Sequence, residues 1–332
     1  MAKGGSRTSV LVIGAGGVGG YFGAKLCSCD DVDVTFAARG QTLDALKKNG
    51  LTLHSPDGDL TVQNVTAAPL KDIDQQFDYV LICVKNYDLT GVIEHLLGVV
   101  GEHTAVISLM NGFGADEGIS TTVGRSRAFG GVVQVDVHVD DPGVIEHTGG
   151  GSITIGELPE NQEAAPDPNP APSSPDGDAR LIAFAELCGA AGFPCEVTTD
   201  IIQKQWRKLI YNAALNAVTA LGRCSVSEAV SVRDGEAVVR AVMIETLMVG
   251  QSYGIHLDPS DIETYLAQAR KDNSRTSMEV DASRGRRLEF DAINGAVIRK
   301  ARGIGIPAPV NQTLYSLLKL IDSRAAVKRA TA

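Results

Sequence analysis

The strongest constraint on the fold is a glycine-rich turn near the start of the chain. The apolar run Ser9-Val10-Leu11-Val12-Ile13 leads into Gly14-Ala15-Gly16-Gly17-Val18-Gly19, and a helix-like stretch from Tyr21 to Leu26 follows. Gly14, Gly16 and Gly19 keep the spacing of a dinucleotide-binding turn between a first strand and a first helix. The first glycine permits the tight turn, the second lets the backbone approach a pyrophosphate, and the third lets helix and strand pack closely. Phosphates held there meet the free N–H groups and the positive dipole end of the helix. The whole turn, Gly14, Ala15, Gly16, Gly17, Val18 and Gly19, is expected to bind the cofactor.

Which dinucleotide it binds depends on the end of the second strand. That strand reads Val32-Asp33-Val34-Thr35-Phe36-Ala37-Ala38 and runs out on Arg39-Gly40. An NAD site places Asp or Glu there to accept from the ribose hydroxyls. Here an arginine stands in that place, and a guanidinium suits a ribose 2′-phosphate through paired hydrogen bonds. The plain alternative is a solvated arginine opening the next helix. The expectation is NADP (NADPH) rather than NAD.

The 332 residues suffice for two substantial cores. A hydrophobic fraction of 44% and a charged fraction of 21% are those of a soluble globular protein. A net charge of −10 argues against nucleic acid as the main partner. Residues 1–180 carry 11 Lys/Arg against 24 Asp/Glu, whereas 181–332 carry 19 against 16, making the later part the kinder host for an anionic substrate. Cys27, Cys29, Cys83, Cys188, Cys195 and Cys224 show neither a CxxC pair nor zinc spacing. Reduced thiols in a cytoplasmic setting are expected, with no metal site. The segment Met1 to Arg7 has no apolar core of the kind a secretory signal needs. No stretch is long and apolar enough to span a bilayer.

Along the first part, strand and helix signals alternate as a doubly wound parallel sheet requires. A helix is expected at Gln41–Lys48, a hairpin at Leu51–His54 and Thr61–Val65, and a buried strand at Tyr79–Val84. A helix at Leu89–Leu97 and a second buried strand at Thr104–Leu109 follow, then antiparallel strands at Ala128–Val139 and Gly143–Ile155 that close the sheet. The stretch Glu157 to Asp178, rich in Pro, Ala and acid, reads as a disordered surface insertion. From Leu181 the patterns are helical, with no further strand. The fold class is an α/β Rossmann-type N-terminal domain, residues 8–180, followed by an all-α C-terminal domain, residues 181–325, that carries substrate and catalysis.

Open parallel sheets bind ligands beyond the carboxyl ends of their strands. Those ends give Gly14, Arg39, Lys85 and Asn111. Alone, Lys85 or Asn111 is equally a solvated loop residue; their shared position makes both candidates. A second constellation lies on a helix from about Ile201 to Leu221, apolar nearly all round between Trp206 and Val218. Lys208, Asn212 and Asn216 recur along it at four-residue spacing and so share one stripe. Such groups cost several kcal/mol each by rough estimate when they face hydrocarbon, so the stripe faces a polar cavity or a ligand. The alternative is a lysine satisfied by a buried carboxylate, with the asparagines as cross-helix ties. A lysine in that setting has its pKa lowered, which suits proton transfer. Further on, Ser277 lies in Ser274-Arg275-Thr276-Ser277-Met278, and Glu289 stands at the start of an apolar helix. By itself Glu289 is a first-turn residue favoured by the helix dipole; beside Lys208 it becomes a candidate partner.

The blocks GAGGVGG, VLICVKN, MNGFG, WRKLIYNAALNAVTAL and NSRTSMEVDASRGRRLEFDAINGAVIRKARGIGIPAP, taken together, resemble the ketopantoate reductase (2-dehydropantoate 2-reductase) family. The resemblance runs from about residue 9 to residue 320, interrupted by the acidic Pro-rich insertion. It implies NADPH-dependent reduction of 2-dehydropantoate to pantoate, in pantothenate and coenzyme A biosynthesis. It places the glycine turn, Arg39, Lys85, Asn111 and Glu289 on the cofactor and Lys208 as general acid. Asn212, Asn216, Ser277 and Asn111 would hold the substrate, and Glu289 would support the active-site network. One position departs: a substrate-contacting asparagine of some members has no match near Val226 in Gly222-Arg223-Cys224-Ser225-Val226-Ser227-Glu228. That bears on substrate identity rather than reaction type. Rival readings are a paralogue reducing another small 2-oxo acid and a regulator that senses NADPH without turnover. Intact Lys208 and Glu289 speak against the regulator, and a metal-dependent reductoisomerase would need a carboxylate cluster the sequence lacks. A homodimer is compatible with all of these; the sequence leaves the oligomeric state open.

Overall fold

The computed structural model describes residues 7–159 and 178–331. The expected disordered insertion, apart from its first and last residues, lies outside the described residues, as does the segment before Arg7.

The elements follow in chain order. They are β1 (Thr8–Ile13), α1 (Gly17–Leu26), β2 (Val32–Ala37), α2 (Gly40–Asn49), β3 (Leu51–His54), β4 (Leu60–Val62), β5 (Thr66–Ala68) and β6 (Phe77–Ile82). Next come α3 (Leu89–Leu96), β7 (Val100–Ser108), α4 (Ala115–Val123), β8 (Ala128–Asp141), β9 (Val144–Glu157), α5 (Ala179–Ala190) and β10 (Cys195–Thr198). The remainder is helical: α6 (Ile201–Gly222), α7 (Val226–Ser231), α8 (Arg233–Ser252), α9 (Asp261–Ala269), α10 (Ser277–Ser283), α11 (Asn294–Gly303) and α12 (Pro309–Thr331).

All strands join one sheet, ordered β4-β3-β9-β8-β7-β6-β1-β2-β5, with β10 also on β9. The strands from β8 to β5 run parallel, and β1 lies between β2 and β6 with Ile13 opposite Ala37 and Ile82. The chain first moves from β1 to β2 on one side and later returns to β6 on the other. The carboxyl end of β1 is therefore the switch point where such sheets leave a crevice for ligands. Val10, Leu11 and Val12 are fully buried, as a strand covered on both faces requires.

Several expectations need correction. The first helix begins at Gly17 rather than Tyr21, despite the low helix propensity of its glycines, because they seat it directly on the sheet. The β8–β9 hairpin does not close the sheet: β3 pairs with the start of β9 and β10 with its end. The strand β10 was not expected, and neither were β5 and α4. The first compact unit reaches Ile201 instead of 180, because α5 and β10 pack and pair with it. Phe184 and Cys188 of α5 lie in the core beneath the sheet, with Tyr79 against Phe184.

The second unit comprises the helices from Ile202 onward together with the short loop Asn111–Gly114. Its core gathers Trp206, Leu209, Ile210, Ala213 and Ala217 of α6 with Val239, Val242 and Met243 of α8, Leu266 of α9 and Val297 of α11. Polar ties, part-buried or buried, fix the helix ends. Glu245 accepts from the N–H groups of Val310 and Asn311 at 2.8 and 2.9 Å, satisfying orphan donors at the start of α12. Asn294 Nδ2 donates to the Ala213 carbonyl at 2.8 Å and to Asn311 Oδ1 at 3.0 Å, joining α6, α11 and α12. No helix among the described residues is long and apolar enough to cross a membrane.

Candidate functional site

In the first unit the site is built from backbone. Gly14 adopts φ +98°, and a Cβ there would stand 2.9 Å from Val84. Its N–H donates to the Ala37 carbonyl at 3.0 Å, which carries the turn out of the sheet. At Gly19 an added Cβ would lie 2.0 Å from the Gly14 carbonyl oxygen, so only glycine lets helix and turn meet. Gly16 is different: a Cβ there would meet nothing within 4 Å. It is the N-cap of α1, and no side chain caps the helix. Open space above uncapped first-turn N–H groups is the cradle a pyrophosphate needs, so these residues fit a dinucleotide.

The neighbouring strand ends supply side chains. Arg39 is the N-cap of α2, its side chain 80% exposed, and its guanidinium meets Asp88 Oδ1 at 2.6 Å. Lys85 is half-buried in the loop after β6, where its carbonyl accepts from the Asp88 N–H at 2.8 Å. Cys83 lines the same turn; burial pushes its thiol up to about 12, so it behaves as a small apolar group.

Asn111 follows β7 but groups with the helical unit, so three of the four expected strand-end groups, not four, stay with the sheet. The Phe113 N–H donates to the Ala292 carbonyl at 2.9 Å, and the Phe113 ring sits 5.3 Å from that of Trp206. The Lys300 ammonium lies 4.9 Å from the Phe113 centroid and 4.6 Å from that of Tyr253. This cation and its aromatic partners hold the loop bearing Asn111 against α6.

Along α6, Trp206, Leu209 and Ile210 are buried, while Lys208 and Asn212 are half-buried and Asn216 is 4% exposed. Burial pulls the Lys208 ammonium down to about 8, against the opposing pull of the Glu289 carboxylate. Glu289 itself is buried. It precedes α11, which begins at Asn294, so it is a loop residue and not the first-turn residue expected.

Ser277 opens α10 and is exposed. The preceding Thr276 caps α10 and pairs its hydroxyl with that of Thr219 on α6 at 2.7 Å. This tie brings the start of α10 to the Asn216 end of the stripe. Thr219 extends the stripe by one turn, a signal that helical spacing already contained. The expected Lys208, Asn212, Asn216, Ser277, Asn111 and Glu289 thus share one unit. Asp88 and the Phe113–Tyr253–Lys300 cluster were missed. Phe113 and Lys300 lie within blocks the sequence singled out, but only tertiary structure brings them and Asp88 to their partners. No group of metal-ligating side chains occurs among the described residues.

Comparison with known proteins gives consistent results. The profile described as "Ketopantoate reductase PanE/ApbA" matches residues 10–160, and its C-terminal counterpart matches residues 200–322. A 2-dehydropantoate 2-reductase of Mesorhizobium japonicum is 30% identical, over 96% of this chain and 98% of its own. A crystal structure of a PanE/ApbA family ketopantoate reductase from Ralstonia eutropha superposes with a TM-score of 0.84 at 28% identity, covering 96% of this chain and 100% of that one. A D-mandelate dehydrogenase bound to NADH and anilino(oxo)acetate shares the fold, with a TM-score of 0.85 at 19% identity and coverage of 96% and 100%.

Proposed function

The chain belongs to the ketopantoate reductase family, and on that premise we propose that it reduces 2-dehydropantoate to pantoate with NADPH. The observation that carries this reading is Lys208: a lysine on an apolar helix, drawn down to about 8, with Glu289 close enough to act on its charge. The nicotinamide, when bound, supplies the hydride. Lys208 gives its Nζ proton to the oxygen of the reduced ketone, and its positive charge favours that oxygen as negative charge gathers there. Glu289 keeps part of the lysine population protonated by opposing the effect of burial. Asn212, Asn216 and Ser277 hold the carboxylate and distal hydroxyl of the oxo acid, and Asn111 aligns it. The α1 N-terminus and Lys85 take the cofactor phosphates, and Arg39 takes the ribose 2′-phosphate.

The test is NADPH oxidation with a panel of 2-oxo acids. A site built to bond a hydroxyl rejects an analogue lacking it, so kcat/KM for 2-dehydropantoate should exceed that for 2-oxoisovalerate by at least about a hundredfold. Preference for 2-oxoisovalerate, or no turnover of either, overturns the substrate assignment. A second reading, reduction of a different small 2-oxo acid, is favoured by one observation. Near Val226, where the family's additional asparagine finds no match, Val226 is buried in the core with its N–H on the Ser274 carbonyl, so its side chain offers no hydrogen bond. The same panel separates the two.

A further inference from the structure

The sequence places no carboxylate at the end of β2, yet the fold delivers one. Asp88, 49 residues beyond Arg39, reaches its guanidinium at 2.6 Å. The two residues leave the sheet on either side of β1. Arg39 follows β2 and Asp88 lies beyond β6, and β1 pairs Ile13 with Ala37 of the one and Ile82 of the other. The ion pair therefore links the two loops that flank the glycine turn.

The position of this pair, not its strength, is what matters: the Arg39 side chain is 80% exposed and that of Asp88 28%, a setting in which ion pairs add little to stability. Asp88 precedes α3 in a helical backbone conformation (φ −98°, ψ −8°) that does not suit side-chain capping, and its carboxylate meets Arg39 instead.

We propose that Asp88 is a specificity-determining residue for the cofactor. A ribose 2′-phosphate needs the guanidinium, and a ribose 2′-hydroxyl needs an acceptor such as a carboxylate. The pair holds both groups together. A 2′-phosphate competes with Asp88 for the Arg39 guanidinium and meets the repulsion of the nearby carboxylate. A 2′-hydroxyl instead donates to Asp88 while Arg39 stays paired. Asp88 thus narrows the preference for NADPH and keeps NADH as a usable cofactor. This rests on the placement of the ribose at Arg39 in the proposed function.

The test is calorimetric titration of the substrate-free protein with NADPH and with NADH, for wild type, Asp88→Asn, Arg39→Ala and the double variant. Thermal melting checks that each remains folded. Asp88→Asn should tighten NADPH by about fivefold and weaken NADH by about threefold, the scale of a gained and a lost charge-assisted hydrogen bond. In the Arg39→Ala background, Asp88→Asn should no longer tighten NADPH. If Asp88→Asn leaves the NADPH-to-NADH ratio within twofold while Arg39→Ala removes the NADPH preference, the proposal is overturned and the cofactor placement stands. If neither variant moves the ratio, the placement itself fails and the proposal with it.

Discussion

Between β1 and α1 the turn exposes main chain, with Gly14 and Gly19 too crowded for a side chain and open space over Gly16. Along α6 the proposed substrate site uses side chains, Lys208, Asn212 and Asn216, on a helix whose own backbone groups are already paired. The first arrangement suits pyrophosphate, which is common to many dinucleotides and needs only N–H groups and a dipole. The second suits one small substrate, because each polar side chain must match a particular atom. A consequence is that damage should separate cleanly: changes on α6 should impair turnover, and changes at the strand ends should impair cofactor affinity.

The largest expected effect lies on α6. Lys208→Ala should lower kcat by about a hundredfold or more, with the Kd for NADPH unchanged. A folded variant with normal turnover would remove Lys208 from catalysis; a large loss of NADPH affinity would break the division between the two regions.

The ionisation of Lys208 gives a second test. Its folded pKa of about 8 lies below the ordinary value of 10.5. In the proposed role of proton donor it must be charged, so kcat for reduction should fall by about tenfold per pH unit above 8, and the reverse oxidation should rise through the same range. The stability sign is opposite to that of a paired lysine. Between pH 8 and 10.5 the unfolded chain binds more protons than the folded one, so stability gains as pH rises through that window. Replacing the charge, as in Lys208→Met, should raise the Tm at pH 7 and do so less at pH 10. A pH-independent difference would show that burial does not perturb this lysine.

At the strand ends, Arg39→Ala should weaken NADPH by about tenfold and leave NADH nearly unchanged. Equal losses for both cofactors would move the 2′-phosphate elsewhere.

The two regions were unequally legible in the sequence. Gly14, Gly16 and Gly19 stand out by their spacing, and at Gly14 and Gly19 a tight turn and a close helix approach admit only one residue type. Lys208 stood out because it interrupts an apolar helix. What escaped was short or distant. The strand β5 is three residues of TAA and β10 is four of CEVT, too brief for a period to show. The helix α4, ADEGISTTV, mixes glycine with two threonines, and weak local propensity hid it. The apolar run after Glu289 predicts a helix starting there, earlier than α11 begins. The chain instead turns through Phe290 to Ile293 before α11 begins, with the Gly295 N–H on the Phe290 carbonyl at 2.9 Å. Asn111 was assigned to the sheet edge by its position after β7. Its attachment to the helical unit depends on Phe113, Ala292 and Lys300, which no local pattern connects.

That attachment yields the smallest and most discriminating prediction. If Asn111 works with Lys208, loosening its loop should weaken handling of the oxo acid and spare the cofactor. Lys300→Met keeps the aliphatic stem beside Phe113 and Tyr253 but removes the charge from both ring faces. A cation–π contact is worth about 0.5 to 2 kcal/mol, and loss of its lower range corresponds to an effect of roughly threefold. The KM for the oxo acid should rise by about threefold with the NADPH Kd unmoved, and Lys300→Arg, which retains a cation for the rings, should restore it. Were the Kd for NADPH to rise instead, with the oxo acid KM unchanged, Asn111 would belong functionally to the backbone-built half despite its packing. The same result from Phe113→Leu, which removes the ring and keeps an apolar side chain, would settle which half the loop serves.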